Sequence, residues 1–367
     1  MSGAVLIAGG GTGGHLFPGV AVAQALRALR PDLAVTFVST GKALESRALA
    51  EAGFALAAIP ARALRGRGLV ERLKALMGLP LACLAAARLI ARLRPGLVLA
   101  VGGYAAFPLG LMARLMGAPL VVQEQNALGG LTNRILARLA RRVFISFPEA
   151  QAQFPAAKCE LTGNPVRADL LDQARVAAAA RPDPAVEFRV LVLGGSQGAH
   201  SLNLALTAAL AHLADRRERL FFIHQTGAAD RAMVAAAYAE RGFRAQVGDF
   251  FADMGRLYGQ AHLVVCRAGA GTLTELAACG RAAVCAPYPH AAGDHQTKNA
   301  RSREAAGAAL VIPDAELTGQ RAAAVIAGLM DDPGRLIAME AAALALGRPD
   351  AARRIAGRCL ELMREAA

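Results

Sequence analysis

The chain has 367 residues, 55% hydrophobic and 19% charged, with a formal charge of +13; that is enough apolar sequence for two domains with full cores, and it excludes intrinsic disorder. Nucleic acid is the first partner such a charge suggests, but aromatics are 5% and tryptophan is absent. With neither zinc-finger spacing nor a Gly/aromatic RNA-binding signature, no nucleic-acid partner is expected. Six scattered cysteines without a CxxC pair imply a reduced, cytosolic setting and no structural zinc.

The opening segment MSGAVLIAGGG has no basic flank and only a short apolar run, so it reads as a first strand rather than a signal peptide or anchor. Residues 4–8 form that strand, a glycine turn follows, and a helix is expected from about 18 to 29. Gly9, Gly11 and Gly14 have the G-x-G-x-x-G spacing of dinucleotide sites, a weak signal alone. The second strand, 35–38, ends in Ser39-Thr40-Gly41 where a nicotinamide site needs an acid. That argues against a dehydrogenase, and the lack of Gly-Lys-Ser/Thr excludes a P-loop. His15, directly after the glycines, titrates near neutral pH and is a candidate general base.

Strands at about 56–59, 97–101, 120–123 and 143–145 alternate with helical segments, the pattern of a doubly wound parallel sheet. Ligands of such sheets sit at the carboxyl ends of the strands. Gly102-Gly103-Tyr104 and Gln123-Glu124-Gln125-Asn126 fall at two such ends, with Glu124 a second candidate base; a merely solvated loop is the alternative. Between the strands at 56–59 and 97–101, residues 62–94 carry Arg62, Arg65, Arg67, Arg72, Lys74, Arg88, Arg92 and Arg94 among many leucines. Their longest uncharged run, 75–87, is too short to span a bilayer. The segment either lies on an anionic membrane surface, each basic residue adding about 1 kcal/mol, or forms ordinary helices covering the sheet.

After a cluster of turn residues at 162–167 and breakers at Arg181-Pro-Asp-Pro184 the plan restarts. A strand at 189–193, the turn Gly194-Gly-Ser-Gln-Gly198 and a helix at 201–213 repeat the opening. Strands at 220–224, 246–248, 263–266, 283–286 and 309–312 complete a second parallel sheet, so two α/β domains facing a cleft are expected. A final helix, about 351–365, has no strand after it and is expected to pack back on the first domain.

Within HLVVCRAGAGTLTE, residues 262–275, a buried strand runs into a tight turn at 268–271 and a helix beginning at Thr272. Unpaired N–H groups at that helix start suit a phosphate, and Glu275 could accept two ribose hydroxyls. Thr272-x-x-Glu275 is equally a capping box that binds nothing.

Taken together, GGGTGGH at 9–15, GGY at 102–104, EQN at 124–126, GNPVR at 163–167, GGSQGA at 194–199, CRAGAGTLTE at 266–275 and PYPHAAGDHQTKNA at 287–300 resemble the bacterial lipid II-forming N-acetylglucosaminyltransferases. The resemblance covers nearly the whole chain, and its motifs come in the family's order. It implies a GT-B fold of two Rossmann-like domains and an inverting transfer of N-acetylglucosamine from its uridine diphosphate (UDP) donor to the muramoyl sugar of lipid I. The family works at the cytoplasmic face of the inner membrane as a peripheral enzyme. Carried over by motif, donor contacts fall on Arg167, Ser196, Gln197, Ala270, Gly271, Thr272, Leu273, Thr274, Glu275 and Gln296, with Phe251 near the uracil. Thr12, Gly13, Gly14, Tyr104 and Asn126 come from the opposite wall, and the glycine loop with His15 is similar to the family's acceptor-diphosphate and catalytic region. Two positions depart from the pattern: Gln123 stands where a His is common, so no base acts there, and Ala106 where Ser is common.

Inversion requires a base for the acceptor hydroxyl and fixed positive potential for the departing diphosphate. No Asp-x-Asp motif exists to hold a metal, so the helix start at Thr272, together with Arg267, is expected to serve without metal or cofactor. His290 and His295 lack a third ligand at zinc spacing and read as sugar-site or structural residues. The domains are expected at 1–163 plus about 350–367 for the acceptor and membrane, and 164–349 for the donor. A UDP-sugar epimerase of the same fold is the alternative activity.

Overall fold

A computed structural model describes residues 3–10, 13–41, 43–61, 69–195 and 197–366, with the backbone alone for 43–44 and 69–76. Thr12 and Ser196, as well as Arg62, Arg65 and Arg67, lie outside the described residues, as do the side chains of Arg72 and Lys74. The chain divides into two compact units, Met1–Arg167 with Pro349–Ala367, and Ala168–Arg348.

In the first unit the strands are β1 (Ala4–Ala8), β2 (Val35–Ser39), β3 (Ala55–Ala58), β4 (Pro95–Ala100), β5 (Leu120–Glu124), β6 (Arg142–Ile145) and β7 (Cys159–Leu161). Its helices are α1 (Gly13–Leu29), α2 (Ala43–Glu51), α3 (Leu69–Leu93), α4 (Ala106–Leu115) and α5 (Leu131–Leu139). All strands are parallel, in the order β3-β2-β1-β4-β5-β6-β7. The central strands are continuous apolar runs because helices cover both faces. Leu6, Val98, Val122 and Leu136 share a core on the α3–α5 side, and Val5, Ile7, Leu16, Leu26 and Leu97 one on the other side.

The second unit holds α6 (Ala168–Ala178), β8 (Phe188–Leu193), α7 (His200–Ala209), β9 (Leu220–Gln225), α8 (Arg231–Glu240), β10 (Arg244–Gly248), α9 (Met254–Gln260) and β11 (Leu263–Cys266). It continues with α10 (Ala270–Ala278), β12 (Ala282–Cys285), α11 (His295–Ala305), β13 (Ala309–Val311), α12 (Gly319–Asp331) and α13 (Pro333–Leu346). Its six parallel strands run β10-β9-β8-β11-β12-β13. Strand order therefore reverses between β1 and β4 in one sheet and between β8 and β11 in the other. Each reversal sends neighbouring connections to opposite faces and opens a crevice at the carboxyl ends of those strands.

The last helix, α14 (Ala351–Glu365), belongs to the first unit. Ile355, Cys359 and Leu362 recur at helical spacing and join the core of Val5, Ile7 and Leu16. Its Arg358 and Arg142 of β6 both pair with Glu160 of β7, at 3.3 and 3.0 Å. That three-residue edge strand escaped the sequence reading because a glutamate interrupts an already short apolar run. The first helix also differs from expectation: α1 begins at Gly13, not near residue 18, with Pro18 inside it. Pro18 supplies no N–H, so the Gly14 carbonyl gains no helical donor there.

Candidate active site

At the first reversal, three strand-end segments converge. A Cβ placed on Gly103 would stand 2.3 Å from the Gly10 carbonyl oxygen, so the turns after β1 and β4 touch backbone to backbone. Gly103 has φ +87° and Gly102 +108°, a region other residues avoid. His15, the third residue of α1, lies against Gly102, its ring within 3 Å of where a Cβ would be. Gly13 and Gly14 form the helix start beside it. Tyr104 stands exposed at the same strand end.

Glu124 faces inward and is 1% exposed. One carboxylate oxygen accepts from the Asn126 N–H and Nδ2 at 3.0 and 3.2 Å, the other from the Gly130 N–H and Asn133 Nδ2, both at 2.9 Å. Four donors on one carboxylate make it the brace of the loop between β5 and α5. Gln123 is buried, its amide donating to Ser146 Oγ at 3.3 Å and Asn164 Oδ1 at 3.1 Å. That position is thus interior. Gln125 is buried as well and donates to the Val101 carbonyl. An acid missed in the sequence lies near Gly10: Glu45 is buried, accepts from Ser39 Oγ at 2.7 Å, and would clash with a Cβ on Gly10.

At the second reversal, the position of the helix start removes the capping-box reading of the 262–275 stretch. α10 starts at Ala270, not Thr272; its N-cap is Gly269 and no side chain caps it. Thr272 therefore lies inside the first turn and Glu275 in the second, out of capping-box register. A Cβ on Gly269 or Gly271 would meet nothing within 4 Å, so the helix start faces open space. Leu273 and Thr274 are buried, with Thr274 Oγ1 donating to the Ala270 carbonyl at 2.7 Å. Glu275 accepts a 2.8 Å hydrogen bond at Oε2 from the buried Tyr258 hydroxyl.

Arg267 is spanned by structural partners. Its guanidinium donates to the Ala286 and Pro287 carbonyls, to Asp314 Oδ1 at 2.6 Å and to Ser201 Oγ at 2.6 Å. It clamps α7, β12 and the segment after β13 around the turn. Gln296 Oε1 accepts from the Ala268 and Tyr288 N–H groups at 3.1 and 2.9 Å, tying α11 to the start of α10. His290 is exposed, ring edge against Tyr288, and His295 Nδ1 pairs with the Ala292 carbonyl. Among the described residues no group of three His, Cys, Asp or Glu is placed to hold a metal.

The glycine turn after β8 rests on buried polar groups that sequence reading missed. Gln225 donates to the Gly195 carbonyl at 3.1 Å and accepts from the Phe251 N–H at 3.0 Å, joining the turn to the loop after β10. The Phe251 ring lies over Gly248, and Gln197 is exposed at the turn. Asn203 Nδ2 donates to Asp230 Oδ2 and the Thr226 carbonyl, which turns its oxygen toward His224 Nε2 at 3.0 Å. His224 therefore carries its proton on Nε2 and accepts at Nδ1 from the Tyr238 hydroxyl. Burial pulls its pKa down to about 3. Arg167, the last residue of the first unit, is half-buried.

Two doubly wound parallel-sheet domains in one chain, each with a glycine turn at its strand reversal, have the GT-B architecture, and the family comparisons make the chain a glycosyltransferase. Residues 5–145 match the glycosyltransferase family 28 N-terminal domain and residues 189–355 its C-terminal domain. The chain belongs to glycosyltransferase family 28. It is 47% identical over 359 residues, 98% of this chain and 93% of the relative, to a Myxococcus xanthus protein. That relative is named UDP-N-acetylglucosamine–N-acetylmuramyl-(pentapeptide) pyrophosphoryl-undecaprenol N-acetylglucosamine transferase. A Geobacter sulfurreducens protein of the same name is 46% identical over 96% of both chains. Among solved structures, MurG of Acinetobacter baumannii is similar with a TM-score of 0.80 and 31% identity, covering 98% of this chain and 100% of that one. The UDP-GlcNAc 2-epimerase of Neisseria meningitidis, 13% identical with a TM-score of 0.69 over 98% and 100% of the chains, shares the fold.

Proposed function

We propose that this chain transfers N-acetylglucosamine from UDP-N-acetylglucosamine to the muramoyl sugar of lipid I, with inversion, giving lipid II for peptidoglycan synthesis. The observation that carries this reading is the near-full-length likeness to the Myxococcus xanthus transferase, because it spans both glycine-turn sites. In this reading the first unit takes the acceptor and the second the donor.

The donor diphosphate sits at the open start of α10, where the backbone N–H groups of Ala270, Gly271 and Thr272 and the helix dipole offset the charge of the leaving group. Glu275 accepts the ribose hydroxyls, Phe251 lies against the uracil, and Ser196, Gln197, Arg167 and Gln296 complete the donor contacts. The buried side chains of Leu273 and Thr274 shape the helix start from behind. Thr12, Gly13 and Gly14 bind the acceptor diphosphate, with Tyr104 and Asn126 beside them. The acceptor hydroxyl attacks the anomeric carbon, the bond to the diphosphate oxygen breaks, and the hydroxyl proton passes to His15. Glu124 and Arg267 act by holding Asn126 and the α10 turn, since both carboxylate oxygens of Glu124 and both terminal guanidinium nitrogens of Arg267 bond within the protein. No cofactor is invoked, and turnover after exhaustive chelation is expected to persist.

Membrane attachment completes the proposal. Among the described residues no helix is long and apolar enough to cross a bilayer. Exposed Met77, Leu81 and Leu84 of α3 and Leu131 and Ile135 of α5 accompany exposed Arg88, Arg92, Arg134 and Arg138 on helices covering one sheet face. Apolar side chains that enter an interface, with arginines beside them, suit peripheral docking on anionic lipid at the cytoplasmic face.

The experiment is transfer of labelled N-acetylglucosamine from its UDP donor to a soluble lipid I analogue, with an acceptor-free control. Product formed only with acceptor supports the proposal; donor consumed without acceptor overturns it in favour of an epimerase or hydrolase.

A further inference from the structure

Glu275 lies past the first turn of α10, too far along for its carboxylate to serve the helix start at Gly269. It is half-exposed, and glutamate is among the side chains with the most rotamer freedom to lose on being fixed. Left alone, such a carboxylate would sample several positions, and a ligand would have to order it. In this fold it is fixed from beneath: the Tyr258 hydroxyl donates to Glu275 Oε2 at 2.8 Å.

Tyr258 is well placed for that task. It is 1% exposed on α9, and its hydroxyl would have no comparable partner in an apolar interior. Burial, with the nearby Glu275 charge, pushes its ionisation well above the usual phenol range, so it remains a donor throughout the working pH range. A hydrogen bond to a carboxylate is charge-assisted and geometrically demanding. It uses one of about four acceptor positions on the carboxylate and leaves capacity for a vicinal diol. α9 itself begins three residues after Phe251, so one short helix links the base-side loop to the ribose-side carboxylate.

We propose that Tyr258 is a positioning residue for donor recognition: its hydroxyl holds Glu275 in the orientation that accepts the two ribose hydroxyls, and so sets the preference for a ribonucleotide over a deoxyribonucleotide sugar donor. This rests on the assignment of Glu275 to the ribose made above. Tyr258 touches no substrate, and its effect passes entirely through Glu275. Pre-organisation of this kind acts on binding and leaves the chemical step alone.

The test compares UDP-N-acetylglucosamine with its 2′-deoxyuridine analogue as donors for the full-length enzyme and for Tyr258→Phe, which removes a single oxygen and keeps the ring packing. Expected are a three- to tenfold rise in KM for the ribonucleotide donor with kcat unchanged, and less than a twofold change for the deoxy donor. Glu275→Asp, which draws the carboxylate away from the hydroxyl while keeping its charge, reproduces the loss. Tyr258→Phe added to Glu275→Ala changes nothing further. An equal KM rise for both donors, no rise at all, or a fall in melting temperature with the donor preference intact overturns the role of Tyr258. If instead Glu275→Ala leaves the ribose preference untouched, the ribose assignment has failed, and this inference fails with it.

Discussion

His15 occupies the space that a side chain on Gly102 would need: a Cβ there stands 2.6 Å from the imidazole Cδ2 and 2.9 Å from Nε2. Two glycine motifs far apart in the chain are thus one structural unit, with the second forming the floor under the first. If His15 is the base, His15→Ala lowers kcat by about 10²- to 10⁴-fold with little change in donor KM. Gly102→Ala, which brings a strained φ as well as the clash, lowers kcat in the same direction without touching a titratable group. A loss under threefold for His15→Ala in steady-state assays removes it as the base.

For Glu124 the expected signature is structural. Glu124→Gln replaces one carboxylate oxygen with an NH2 that must face a donor, leaving a buried group unsatisfied. A stability loss of about 1 to 3 kcal/mol follows, measured by urea unfolding, with the pH dependence of turnover unchanged in shape. Loss of the acidic limb of the pH–rate profile at undiminished stability would restore Glu124 as a base.

Glu275→Ala is expected to weaken donor binding by about 1.5 to 3 kcal/mol, the size of a hydrogen bond to a charged group. Calorimetric titration with UDP measures it directly. Removing Glu275 also takes the carboxylate acceptor from the buried Tyr258 hydroxyl, which costs about 1 to 3 kcal/mol of stability; a fall in melting temperature with donor affinity intact would contradict the ribose assignment.

Two buried histidines predict an acid-sensitive second unit. His262 accepts the Arg189 N–H at Nδ1 and donates from Nε2 to the Pro182 carbonyl; burial, reinforced by nearby arginines, lowers its pKa to about 4. His224 falls to about 3. Both folded values lie below the unfolded value of 6.5, so the folded state favours the neutral rings. Their contribution is complete above pH 6.5 and is lost as pH falls through the window from there toward 4 and 3. Between pH 6.5 and 4.5 each should cost about 1.4 kcal/mol per pH unit. Urea unfolding across that range reads the slope, and His262→Gln should flatten it by one proton's worth.

Membrane docking predicts salt-sensitive binding to anionic vesicles. Arg88→Glu with Arg92→Glu should weaken it by at least the two lost contacts, about 1 kcal/mol each. Vesicle sedimentation at low and high salt measures this, and unchanged partitioning of the double variant would sink the docking face.

What the sequence determined by itself was the order and type of most strands and helices, though not where α1 and α10 begin. Apolar runs of strand length between helical segments specify parallel strands covered on both faces, and glycine-rich runs mark the turns that follow them. The strands of the two sheets and the last helix, α14, were legible for that reason, since periodicity and turn chemistry are properties of neighbouring residues. Strand order, which sets the crevices, and the partners of polar side chains were decided only by the tertiary structure. Glu124 and Arg267 read as free reactive groups in sequence, yet each is enclosed by donors or acceptors from distant segments. Tyr258, Gln225 and Glu45 carried no signal because their roles depend on contacts 17, 30 and 6 residues away in the chain. The start of α10 was misplaced because Thr and Glu make a good cap pattern locally, whereas packing of Ala270, Leu273 and Thr274 into the core begins the helix earlier. Burial overrides local propensity where the two compete, and burial is a property of the folded chain.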